Sequence, residues 1–312
     1  MKRVWKKIKV TLFSVVLMVA FTAGCSSTKS TSDDFTQAEQ ETKEESSQEA
    51  VKTENTKDES ELLHKIKEKG VLTVASSNDA PFAYIDVETG EFEGIDAVII
   101  KEIAKRLGIP KVVMKEVAFE NLLIELNNKT VDMVTDAMYI KDERLQKALF
   151  TNAWYQEGEG IIIPNDSSIT AKEDLKQATL GGQKGTTFLE TAQAWVKEGK
   201  VKEVSIFGKQ TELMMAVNTG KIDACITDGI VAAYTLAQDS SLNLKILSPY
   251  ESEASGKIGA AIRFEDQDFL YEVNTVLDEM KEDGTLMDIL EDFGLNEDYF
   301  VDVEDGITQN KK

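Results

Sequence analysis

Asp136-Ala-Met-Tyr-Ile-Lys-Asp-Glu-Arg144, with Phe150-Thr-Asn-Ala-Trp154-Tyr155 downstream, is the stretch whose reading decides the fold. Val131, Met133 and Val134 spell a short apolar strand that ends at Asp136, and the polar run after it opens a helix containing Arg144. A loop at the carboxyl end of a strand is where open α/β sheets bind ligands. A single Arg near the start of a helix is, by itself, a solvated surface charge, so the rest of the chain has to decide its role.

Working outward, strands and helices alternate on both sides. Upstream the pattern predicts helices over 62–69, 95–107 and 119–126 and strands over 71–74 and 111–116, with a loop at 81–84. In the second of these helices Ile95, Val98, Ile99, Ile103, Ala104 and Leu107 share a face, and Gly108 is a stop signal. A second series follows Tyr155: strands over 158–163, 179–181, 201–206 and 222–226, and helices over 171–175, 188–196, 212–218 and 230–236. Alternation at this spacing predicts an α/β fold with parallel sheets covered by helices on both faces, and two series predict two lobes. The end of the chain reads as a strand over 257–263, a long helix over 266–281, a break at Asp283-Gly284 and a last helix over 286–293. The expected division is lobe 1 over 61–157, lobe 2 over 158–263, and 264–312 back on lobe 1. The expected hinge lies at two crossings, near 155–158 and 263–265.

Charge and composition exclude some functions. The 312 residues carry a formal charge of −21, which argues against a nucleic-acid partner because such binding rests on Lys and Arg releasing phosphate counterions. Lys2, Arg3, Lys6, Lys7 and Lys9 precede an apolar run over 10–21 and the small residues Thr22-Ala-Gly before Cys25. That is the layout of a secretory signal, and Thr22-Ala-Gly-Cys25 resembles the bacterial lipobox, so 1–24 is expected to be removed and Cys25 lipidated. Residues 26–60 are almost devoid of apolar side chains and are expected to tether the folded body to the membrane outside the cytoplasm. Cys225, inside an apolar run, then has no disulfide partner and reads as a small buried hydrophobe.

Catalytic and metal chemistry is hard to assemble. His64 is the single histidine, so Ser-His and Cys-His nucleophilic pairs have no base, common zinc sites have too few ligands, and no cofactor is expected. Gly181-Gly-Gln-Lys-Gly-Thr-Thr187 is not a P-loop, because its lysine precedes the final glycine, but a strand running into a hydroxyl-bearing helix start favours anions. Asp302-Val-Glu-Asp-Gly306 lacks the alternate oxygens of a calcium loop. Asp228, at a strand end, is either a helix N-cap or a carboxylate facing the cleft. Phe82, Tyr84, Tyr139 and Trp154 fall in loops at strand ends and are candidate walls for a ligand. An Arg, a helix N-terminus, acidic groups and aromatics converging from two lobes suit a small zwitterion.

Ala80-Pro-Phe82, Gly94-Ile-Asp96, the stretch from Asp136 to Arg144 with Phe150-Thr and Trp154-Tyr155, Gly185-Thr-Thr187, Gly220-Lys-Ile-Asp-Ala-Cys-Ile-Thr-Asp228 and Asp283-Gly-Thr285 occur in a familiar order. Through them residues 61–293 resemble the bacterial extracellular solute-binding proteins of family 3, the polar-amino-acid receptors of ABC importers. The resemblance implies a two-lobed, type II periplasmic-binding-protein fold, an interlobe ligand cleft, hinge closure, a permease partner and a monomer. It implies that Arg144 forks onto a ligand α-carboxylate helped by Thr186 and its helix N-terminus, that Asp228 takes the α-ammonium, and that Phe82 packs on the ligand body, with Thr187 a further expected contact. Met138, Tyr139, Lys141 and Asp79 complete the expected contacts, with Tyr84, Trp154 and Glu159 as further cleft wall. Tyr139 and Lys141 stand where the family often has Ser or Thr, and Asp79 where many of its members have Tyr. Asp79, Phe82, Tyr139 and Arg144 are also similar to the ectoine-binding branch, and a cyclohexadienyl-dehydratase-like enzyme with Glu159 or Asp79 as acid is the rival from another class.

Overall fold

Residues 59–303 are described in the structure, a computed structural model. The expected signal segment, Cys25 and nearly all of the expected tether lie outside the described residues, as does the end of the 302–306 loop.

The described chain opens on a capped helix. Ser60 Oγ accepts from Leu63 N at 3.2 Å, and α1 (Glu61–Lys69) runs from there to Gly70, whose φ of 73° ends it. β1 (Leu72–Ser76) follows, then the small ribbon of β2 (Tyr84–Ile85) and β3 (Phe92–Glu93), then α2 (Ile95–Arg106), β4 (Val112–Glu116), α3 (Leu122–Asn127) and β5 (Met133–Val134). The decisive stretch becomes a loop, the single turn α4 (Asp142–Leu145) and β6 (Leu149–Phe150). β7 (Tyr155–Glu157) leaves this lobe.

The second lobe holds β8 (Glu159–Pro164), β9 (Thr179–Gln183), α5 (Thr187–Lys197), β10 (Glu203–Phe207), α6 (Gln210–Asn218), β11 (Ala224–Asp228), α7 (Gly229–Gln238) and β12 (Leu244–Ile246). The chain returns along β13 (Gly256–Ile258), then β14 (Ala261–Ile262), and ends with α8 (Gln267–Glu282) and α9 (Thr285–Asp292).

The two main sheets repeat one plan. In the first the order is β4-β1-β5-β14-β6, and in the second β10-β9-β11-β8-β12. In each, four strands run the same way and one runs against them: β14 is antiparallel to both β5 and β6, and β8 to both β11 and β12. The expectation of parallel sheets therefore holds for four strands of each sheet and not for the fifth. β8 and β14 enter their sheets from the crossing ribbon and not through a helical crossover, so nothing constrains them to run parallel.

The second crossing also lies earlier than expected. β13 pairs antiparallel with β7, Gly256 opposite Glu157 and Ile258 opposite Tyr155, and these two strands are the ribbon between the lobes. Ala261 is already paired with Val134 and Phe150 in the first sheet. Arg263 is buried in that lobe, donating through Nη1 to Val131 O at 2.6 Å and through Nε to Asp266 at 2.6 Å, so 263–265 is no crossing. One apolar run over 257–263 serves two sheets, and periodicity alone cannot mark where it changes partner.

α8 and α9 pack back on α2 of the first lobe. Arg106 fixes the joint, reaching Asp283 at 2.8 Å and Thr285 Oγ1 at 2.9 Å, which accounts for Asp283-Gly-Thr285. Among the described residues no helix is long and apolar enough to cross a membrane.

Gly94 shows how tightly the first lobe is set. Its φ is 116°, and a Cβ there would lie 2.2 Å from Phe82 O, the carbonyl that accepts from Asp96 N at 2.9 Å. Gly94→Ala is expected to destabilise the protein by about 3 kcal/mol, combining backbone strain with a forced shift of the Phe82 loop. Urea unfolding followed by circular dichroism checks this, and an unchanged midpoint would contradict it.

Candidate ligand cleft

The carboxyl ends of β1 and β5 in the first sheet and of β9 and β11 in the second face one another across a cleft. Its wall brings together Asp79, Phe82, Tyr139, Arg144, Thr186, Thr187 and Asp228 from the sequence reading, with Phe119, Asp136, Gln183 and Phe188 among the residues that reading did not place there. The space is tight, a cavity of about 20 Å³. That admits an ordered water but no larger ligand, so an amino acid would require the lobes to part.

Arg144 is 7% exposed. Its Nη1 donates to Tyr139 O in lobe 1 at 2.9 Å and its Nη2 to Gly185 O in lobe 2 at 3.2 Å, while the guanidinium lies 5.4 Å from the centre of the Phe119 ring. Burial pulls its pKa down to about 10, against the opposing pull of Glu190, Asp228 and Glu143, so it stays charged at neutral pH. Two carbonyl dipoles and an aromatic face hold the cation without neutralising it.

The two threonines divide their work. Thr186 caps α5, its hydroxyl accepting from Leu189 N at 3.2 Å and donating to Gln183 O at 2.8 Å. Thr187 Oγ1, one residue on, is buried in the cleft wall with no hydrogen-bond partner. Asp228 sits at the N-cap of α7, yet its side chain makes no capping bond and lines the cleft instead. Beside it Glu157 is 5% exposed and neither of its carboxyl oxygens has a partner. Burial and then the Asp228 charge push the Glu157 acid well above the ordinary range.

Lobe 1 contributes a second acidic pair. Asp136 Oδ2 accepts from Ser77 N at 2.8 Å and from Ser77 Oγ, which also lies 2.8 Å from Asp79 Oδ2. Burial, with the Asp79 charge next, raises Asp136 well above its ordinary value; Asp79 is raised by burial too. Asp136 escaped the sequence reading because an Asp where a strand ends looks like a turn or cap residue. Behind the loop, Asp96 accepts from Ala137 N at 2.8 Å, Thr135 Oγ1 at 3.2 Å and Tyr155 Oη at 2.7 Å, which explains the Gly94-Ile-Asp96 motif.

Five expected residues lie elsewhere. Met138 points into the smaller core cluster of lobe 1, because neighbouring residues of an extended loop alternate sides. Lys141 is at the rim, paired with Glu190 at 2.6 Å and Glu143 at 3.2 Å. Trp154 is 0% exposed in the core, and Tyr84 belongs to the β2–β3 ribbon. Glu159 faces the Tyr250–Ala254 loop: burial raises its pKa, but bonds from Ser252, Tyr250, Glu253 N and Ala254 N together hold it low. Tyr139 does line the cleft, its ring edge-on to Phe188 at 5.5 Å and pressed against Gly256, where a Cβ would come within 2.4 Å.

A family model for bacterial extracellular solute-binding proteins, family 3, matches residues 72–296. A glutamine-binding protein of Geobacillus stearothermophilus is 30% identical over 265 residues, 83% of this chain and 94% of its own. The L-cystine-binding protein TcyJ of Escherichia coli (strain K12) is 27% identical over 233 residues, 74% of this chain and 85% of its own. Among solved structures, a mutant of ArgBP from T. maritima superimposes with a TM-score of 0.67 at 30% identity, covering 74% of this chain and 98% of that one. An ancestral amino acid-binding protein, a precursor of cyclohexadienyl dehydratase, gives 0.66 at 29% identity with the same coverage.

The raised acids predict a pH dependence. A carboxyl whose native pKa lies above its unfolded value stabilises fully below the unfolded pKa, and that contribution is lost as pH rises through the native one. Asp136→Asn removes this cost, so its stability relative to the parent should grow from about pH 4 towards pH 8, where a gain on the order of 1 kcal/mol would raise Tm by roughly 2–4 °C. Thermal unfolding at both pH values checks it, and a gap that shrinks with rising pH would be the contrary result.

Proposed function

The chain belongs to the bacterial extracellular solute-binding proteins of family 3, and from that premise we propose that it captures an amino acid, or an amino-acid-like zwitterion, between its lobes and delivers it to an ABC importer. The observation that carries this reading is Arg144: a buried guanidinium bridging both lobes through carbonyls, with no carboxylate paired to it among the described residues. A ligand carboxylate is the partner that geometry lacks. Thr187 Oγ1 and the free N–H groups at the start of α5 support the same end of the ligand, and Asp228 faces it from the end of β11 to take an ammonium. Phe82 and Tyr139 supply apolar wall for the ligand body.

The relatives' names agree on amino acids and differ on which one. Delivery to a permease follows from this family reading. Attachment to the outer face of the membrane rests on the signal-like segment and Cys25, and Cys25→Ser is expected to release the protein into the medium; retention with the cells would refute the anchor.

An enzymatic reading draws on the ancestral dehydratase precursor and on the buried, protonatable Asp136 and Glu157. Incubation with prephenate and arogenate separates the two readings, and turnover of either would favour the enzyme.

Arg144→Ala is expected to weaken amino-acid binding by roughly a hundredfold or more, since breaking a buried charge pair costs about 3–5 kcal/mol. Calorimetry with the amino acid that most raises the thermal stability of the parent chain is the measurement. Unchanged affinity would sink the assignment.

A further inference from the structure

The lobe 1 end of the cleft is short of hydrogens. Ser76 Oγ lies 2.5 Å from Ala83 O and 2.8 Å from Asp136 Oδ1, and itself accepts from Asn78 N at 3.0 Å. Ser77 Oγ lies between Asp136 Oδ2 and Asp79 Oδ2. Each hydroxyl carries one hydrogen, so two hydrogens face four oxygen acceptors. With both carboxyls ionised, two of these contacts would set lone pair against lone pair. A proton on Asp136 Oδ1 donates to Ser76 Oγ and frees the Ser76 hydrogen for Ala83 O; the rest of the deficit falls between Ser77 and Asp79.

The charges of the cleft are unbalanced in the same place. Arg144 is the one cationic side chain in its wall, facing Asp79, Asp136 and Asp228. A zwitterion held as proposed uses Arg144 for its carboxylate and Asp228 for its ammonium, and leaves Asp79 and Asp136 facing each other. The groups around that pair do not resolve it. Gln183 Nε2 donates to Asp79 Oδ2 at 3.2 Å but is neutral, Asp228 adds negative charge from across the cleft, and Lys209 is at the rim, committed to Glu116 at 3.0 Å. In the opposite wall the unpartnered Thr187 Oγ1 independently marks the space as built for a ligand.

We propose that Asp79 and Asp136 form a proton-holding subsite for a positively charged distal group, so that the ligand is an amino acid with an ammonium or guanidinium side chain, bound with release of a proton. This rests on the amino-acid reading of the cleft. The step is an exchange: the O–H bond of the carboxylic acid breaks, its proton passes to buffer, and the ligand cation takes its place between the carboxylates. The pocket therefore discriminates on tail charge, because a neutral tail leaves the proton where it is.

The test uses the full chain and isothermal titration calorimetry with L-arginine, L-lysine and L-glutamine near neutral pH, in phosphate and in Tris. The two buffers differ in ionisation heat, so the difference in observed enthalpy counts protons. Arginine or lysine is expected to bind at least about tenfold tighter than glutamine and to release on the order of one proton, glutamine none. Asp136→Asn should abolish the release and shrink the preference, and Asp79→Asn should do the same if the first variant folds poorly. Glutamine binding as tightly as both cations, or an equal proton count for all three, overturns the proposal. If glutamine wins but is lost in Arg144→Ala, the distal subsite alone is wrong; if no amino acid binds, the reading of the cleft falls with it.

Discussion

A guanidinium withdrawn from water is the constraint around which both lobes are arranged. Desolvating an ion of this size costs several kcal/mol, and Arg144 recovers part of it from Tyr139 O, Gly185 O and the Phe119 face. Those partners come from the loop after β5, the turn before α5 and the segment before α3. Two are backbone carbonyls and one is an aromatic ring, each set by its own lobe, so placing one cation correctly fixes the relation of three loops. Because none of the partners carries charge, the site keeps its attraction for an anion.

What closes the lobes around that cation is weak. Lys141–Glu190, Lys184–Glu120 and Lys209–Glu116 span the rim at 2.6, 3.4 and 3.0 Å, and most of these side chains are substantially exposed. Exposed pairs of this kind contribute about 0–1 kcal/mol each and are screened by salt. These rim pairs therefore oppose parting of the lobes only weakly, and the buried contacts of the cleft, Arg144 to Gly185 O and Gln183 to Asp79 among them, hold the lobes together more directly. The rim pairs set the register in which the lobes meet.

The alternation of strands and helices was legible because each element carries its own period, and the family motifs were legible because each answers to a local need. Gly94 must reach a backbone conformation closed to other residues, and Asp96 must satisfy three donors. The failures share one cause, which is that sequence places a residue on an element but not on one side of it. Trp154 and Tyr139 both looked like aromatics in strand-end loops, yet Trp154 is wholly buried and Tyr139 faces the cleft. Lys141 and Glu159 are charged residues near the right loops whose partners are Glu190 and the Tyr250–Ala254 loop, far away in sequence. The break between β13 and β14 was hidden likewise, since changing sheets leaves the apolar run intact. Asp136 was visible as a residue and invisible as a charge, because its significance lies in Asp79, which is brought against it only by the fold.

The ribbon between the lobes has its own part in the chemistry. β7 is three residues long, and its first and third side chains point to the same side of the strand. Tyr155 Oη reaches Asp96, which also holds the backbone of Ala137 in the ligand loop of lobe 1. Glu157 stands beside Asp228, at the end of β11 in lobe 2. One short strand thus carries a contact to the ligand-facing part of each lobe, through two buried groups whose environments are unfavourable to charge.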